Sequence, residues 1–120
     1  MKQMRPVILI EDDRCIRESL RVFLESEKII VKEAENGKQG LELILESGGD
    51  CVVLLDLQMP VMTGEEVLEA LSRDANPKIR TVPVLVLTAK GKGFQHPGII
   101  GTLRKPFDLD QLLEKVTTLG

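Results

Sequence analysis

Short, unbroken runs of aliphatic and β-branched residues punctuate this 120-residue chain, and amphipathic stretches separate them. Residues 6–10 (PVILI), 51–55 (CVVLL) and 83–88 (PVLVLT) lack the every-second-residue polarity of a strand with one wet face. Such runs suit strands buried on both sides, the situation of a parallel sheet covered by helices. Residues 29–31 predict a further strand that ends at the turn pair Asn36-Gly37, and residues 99–103 predict a fifth. Between the runs, apolar residues return at helical spacing. The stripes are Ile16, Leu20, Phe23 and Leu24; Leu41, Ile44 and Leu45; Val67, Leu68 and Leu71; and Leu109, Leu112, Leu113 and Val116.

Helix punctuation supports the same division. Asp13 precedes the first stripe, and Asn36 with Gln39, Thr63 with Glu66, and Asp108 with Gln111 have N-terminal capping spacing. Gly48-Gly49 and Asn76-Pro77 read as helix ends. Alternating strands and helices predict one α/β domain over residues 1–120, a doubly wound five-stranded parallel sheet with helices on both faces.

Composition narrows the function. No apolar run approaches the roughly 20 residues that span a bilayer, and no secretory leader is visible. Net charge is −3, with three Phe and neither Trp nor Tyr, which argues against direct nucleic-acid binding. Cys15 and Cys51 both read as small buried residues, so a reduced cytoplasmic setting is expected. His96 reads as a solvated loop residue.

Right-handed crossovers bring every strand's carboxyl end to one edge, where ligands of such folds bind. The residues to read there are Glu11 and Asp12, Asp56, Thr88 and Lys105. Two carboxylates about 5 Å apart, at an effective dielectric near 20, repel by roughly 3 kcal/mol. Lys105 supplies one counter-charge, and a hard divalent cation supplies more. Oxygen ligands few in number suit Mg²⁺. Zinc is disfavoured, because Cys15, Cys51 and His96 lack partners at ligand spacing. Beside a cation, a strand-end carboxylate can act as nucleophile toward a phosphoryl group, and such transfer depends mainly on positioning and positive charge.

Over nearly its whole length the sequence resembles the receiver domain of bacterial two-component response regulators. The residues that carry the resemblance are Glu11-Asp12-Asp13 after a VILI run, Ile16-Arg17, Asp56 with Met59-Pro60 and Gly64, Leu87-Thr88-Ala89, and Lys105-Pro106-Phe107. It implies a flavodoxin-like fold in which Asp56 accepts a phosphoryl group from a histidine kinase or histidine phosphotransfer protein. It further implies that Glu11, Asp12, Asp56 and the main-chain carbonyl of Gln58 hold Mg²⁺. Lys105 would contact the phosphoryl oxygens, Thr88 would relay the change, and the Lys105–Pro106 bond would be cis. The protein would be a switch that promotes its own dephosphorylation, not an enzyme with independent turnover. It would be a monomer or weak dimer passing its signal to an effector that the sequence does not name.

Two features depart from the family. The connector 89–98 carries three glycines and a proline, which predicts a shortened or missing helix between the fourth and fifth strands. The family's switch aromatic is replaced by Thr102. These departures support an alternative, a degenerate receiver serving only as a protein-binding module. A phosphatase with an aspartate nucleophile is a third reading, disfavoured because Gln58 stands where a second acid is needed. A chain that ends just after its last helix fits a single-domain regulator or a piece of a larger one.

Overall fold

The computed structural model describes residues 5–56, 62–88, 99–104 and 108–119. Its strands are β1 (Val7–Ile10), β2 (Val31–Ala34), β3 (Val52–Asp56), β4 (Val84–Thr88) and β5 (Ile99–Arg104). Its helices are α1 (Arg14–Ser26), α2 (Gly37–Ser47), α3 (Gly64–Ser72), the short α4 (Pro77–Arg80) and α5 (Leu109–Leu119). The strands form one sheet in the order β2-β1-β3-β4-β5, every pair parallel. The expected doubly wound sheet is therefore present. The connector 89–98 lies outside the described residues, and so does the expectation about its helix.

The unbroken apolar runs are explained by burial on both faces. Along β1, β3 and β4, Ile8, Ile10, Val53, Leu55, Val84 and Val86 pack on one side with Ile44, Val67, Leu68 and Leu71 of α2 and α3. Val7, Leu9, Val52, Leu54, Leu85 and Leu87 pack on the other with Leu20, Leu24, Leu112 and Val116 of α1 and α5. This is the two-residue period of a strand with a core on each side. At the edge the burial fails: β2 reads half-buried, exposed, exposed, buried.

Several boundaries move from their expected places. β2 begins at Val31, and Ile30 is exposed while Ile29 is buried. Leu45 and Leu109 also face outward, because α2 and α5 each bury a narrower stripe centred on Ile44 and on Leu112 with Val116. Asn76-Pro77 opens α4 instead of closing the helix before it. The Asn76 side chain accepts from the Lys78 amide at 3.0 Å, with Pro77 in the first helical turn, where its missing N–H costs nothing. Thr63 and Glu66 form the full reciprocal capping box. Asn36 caps α2, but Gln39 reaches the Glu35 amide instead of its own cap.

Candidate functional site

The acids meet because of strand register. β1 and β3 are neighbours with Ile10 level with Leu55, so the next residues, Glu11 and Asp56, arrive side by side at the carboxyl edge. The backbone of Glu11 is still held like a strand, its amide donating to the Ala34 carbonyl at 3.1 Å. One carboxylate oxygen each of Glu11, Asp12 and Asp56 lies within 4.8 Å of the others. Glu11 is fully buried and Asp56 is 4% exposed, whereas Asp12 opens to solvent. The edge also lies where the chain reverses its winding, from β2 on one side of β1 to β3 on the other, the location at which such sheets bind ligands.

The turn after β1 is fixed from α1. Asp13 caps that helix, its side chain accepting from the Ile16 amide at 3.1 Å, while its own amide approaches Glu11 Oε2 at 3.4 Å. From one turn into the helix, Arg17 Nη1 donates to the Glu11 carbonyl at 2.9 Å and reaches the Asp12 carbonyl at 3.5 Å. A helical side chain leans toward its own N-terminus, which lets Arg17 reach back over the turn. Sequence reasoning noted Arg17 only as part of a resemblance; the available signal was a basic residue one turn after the capping aspartate.

The donor set fits a hard cation. It consists of carboxylate oxygens, two of the residues buried and one accessible, gathered within 4.8 Å of one another. Among the described residues neither cysteine belongs to this group. Cys51 is buried, and burial pushes its thiol above the ordinary range, partly offset by the Ser47 hydroxyl at 3.4 Å. Cys15, expected to be buried, is exposed at the start of α1, because the apolar stripe of that helix runs through Leu20 and Leu24 and misses it.

Thr88 is the last residue of β4, and its backbone pairs in register with Arg104 at the end of β5. The expected contributions of Gln58, Lys105 and Pro106 lie outside the described residues, as does His96.

Fold and rim together define a doubly wound α/β domain with an acidic centre at its winding reversal. The chain belongs to the response regulator receiver domain family, which it matches over residues 7–117. It is 35% identical over 118 residues to response regulator MprA of Mycolicibacterium vanbaalenii, covering 94% of this chain and 49% of MprA. Transcriptional regulatory protein SrrA of Staphylococcus aureus is 32% identical over 119 residues, covering 94% of this chain and 46% of that protein. The chain thus spans about half the length of these curated relatives. Among solved structures, chemotaxis response regulator CheY4 of Vibrio cholerae superposes with a TM-score of 0.81 at 26% identity, covering 98% of this chain and 100% of that one. The Francisella response regulator 1452 receiver domain gives 0.80 at 26% identity, covering 96% and 95%. The chain is therefore a receiver domain of two-component phosphorelay signalling. Among the described residues no helix is long and apolar enough to cross a membrane.

Proposed function

We propose that residues 1–120 act as one phospho-acceptor domain in which Asp56 takes a phosphoryl group from a histidine kinase or histidine phosphotransfer protein. The observation that carries this reading is the convergence of Glu11, Asp12 and Asp56 within 4.8 Å at the ligand edge of a receiver fold. Asp56 sits at the carboxyl end of a central strand, backed by core on both faces, so its carboxylate is held in a fixed place. A fixed nucleophile suits a reaction that depends mainly on alignment.

In the step itself, a carboxylate oxygen of Asp56 attacks the donor's phosphorus. An O–P bond forms as the donor's N–P bond breaks, and the departing imidazole keeps the electron pair and takes a proton. Glu11, Asp12, Asp56 and the carbonyl of Gln58 would hold Mg²⁺. Bound there, Mg²⁺ supplies positive charge against the incoming phosphoryl oxygens and relieves the repulsion among the acids. Lys105, next in the chain after the end of β5, would contribute a second positive charge, and the Thr88 hydroxyl would respond to the modified Asp56. Hydrolysis of the acyl phosphate resets the domain, so the protein acts as a switch without independent turnover. The histidine-bearing donor lies upstream and an effector of unassigned chemistry downstream; a cytoplasmic setting fits both.

The test is intact-mass analysis after incubation with a small-molecule phosphodonor, with Mg²⁺ or with chelator. Addition of one phosphoryl group with Mg²⁺, absent with chelator, is the expected result. A well-folded sample that gains nothing in either condition overturns the proposal in favour of a binding-only receiver.

A further inference from the structure

The structure assigns Arg17 as a positioning residue for the acidic rim: its guanidinium, anchored by Glu33 of β2, clamps the backbone of Glu11 and Asp12 and so sets how tightly the site takes a divalent cation. The inference rests on the metal-binding reading of the previous section, and its test separates the two.

The contacts run in one chain from strand to loop. Arg17 Nη1 donates to the Glu11 carbonyl at 2.9 Å, with the Asp12 carbonyl at 3.5 Å, while Arg17 Nε pairs with Glu33 Oε1 at 3.4 Å. The Arg17 side chain is only 14% exposed, so water competes poorly for its N–H groups. Arg21, one turn further along α1, approaches Glu33 Oε2 at 3.1 Å as a charge partner, though its Nε–H is not aimed for a hydrogen bond. Glu33 is thus gripped from α1 by two cations, and β2 is fastened to the helix that caps the acidic turn.

The chemistry of the choice is informative. A cation beside this rim could have paired with a rim carboxylate directly. Arg17 contacts the main-chain oxygens of Glu11 and Asp12 and places its charge against Glu33. It therefore acts on where the two acids stand through their main chain. Only a planar, forked side chain can serve a carbonyl with one nitrogen and a carboxylate with another; a lysine ammonium is a single point. Outer groups that orient metal ligands in this way typically account for roughly 10–100-fold in metal affinity.

The experiment uses the full chain and Mg²⁺ alone, with two readouts. Mg²⁺ affinity is taken from the dependence of thermal stability on Mg²⁺ concentration, and amide exchange at Asp12 and Asp13 is measured in metal-free protein. Arg17→Ala should weaken Mg²⁺ about tenfold or more and speed exchange at Asp13, whose amide faces Glu11 Oε2. Arg17→Lys should recover only part of either effect, and Glu33→Gln, which loosens the anchor, should shift both the same way by less. Wild-type affinity and exchange in Arg17→Ala overturn the inference. Should Arg17→Ala fail to fold, Glu33→Gln decides in its place, and unchanged values there overturn the inference as well. If the wild type itself takes no Mg²⁺, the metal reading fails, and unchanged exchange at Asp13 then sinks the clamp separately.

Discussion

The two ends of the central strands make an instructive contrast. At the amino end, Arg5 beside β1 and Asp50 just before β3 form an ion pair at 3.8 Å, with side chains 46% and 70% exposed. Opposite charges meet in water there, a situation of low stakes. At the carboxyl end, register brings three acids together, and two of them are buried. The same sheet and the same alternation of core residues run through both ends. The difference lies in what flanks the apolar runs: an exposed pair of opposite charges at one end, a partly buried group of acids at the other. A fold optimised only for stability has no reason to build the second kind.

That contrast predicts a graded set of effects. The largest falls on Asp56: Asp56→Asn should abolish phosphoryl gain from a small phosphodonor while keeping the fold, read by intact mass and circular dichroism. Next, Mg²⁺ at about ten times its dissociation constant should add roughly 1.4 kcal/mol, several degrees in Tm. Asp12→Ala should remove that response and leave the metal-free protein as stable or more so. Full retention of the response in that variant would show that Asp12 is not a ligand. Thiol reactivity gives a smaller, structural check: Cys15 should label in the native protein and Cys51 only on unfolding, because burial both shields Cys51 and keeps it protonated. Because the folded thiol holds its proton more tightly than the unfolded one, that contribution to stability is lost as pH rises above the ordinary thiol range. The smallest effect belongs to the amino end, where Arg5→Ala should change stability by less than about 1 kcal/mol and leave the Mg²⁺ response intact.

Much of this was legible in the sequence, for identifiable reasons. Strands buried on both faces leave runs such as residues 51–55 that few other environments tolerate, and parallel connections then determine which residues share an edge. Glu11 and Asp56 could be placed together from that rule alone. Less legible were features set by how far each element turns toward its neighbours. Leu45, Leu109 and Ile30 are apolar yet outward-facing, and Cys15 sits just off the buried stripe of α1. Apolarity marks what can be buried, whereas tertiary packing decides which of those residues is. Asn76-Pro77 misled differently, since the same pair that ends one helix is also suited to start another. The Arg17 clamp left only a faint trace in the sequence, because its partners on the acidic turn are main-chain carbonyls, which any sequence supplies.

The spatial claim beneath the whole account is that the carboxylates of Glu11, Asp12 and Asp56 enclose a hard divalent ion. Anomalous diffraction from crystals grown with Mn²⁺, which shares the oxygen preference of Mg²⁺, would locate that ion directly. The account predicts a peak bounded by those three side chains at the end of β1 and β3. A fully occupied Mn²⁺ elsewhere, with no density among these acids, would contradict it.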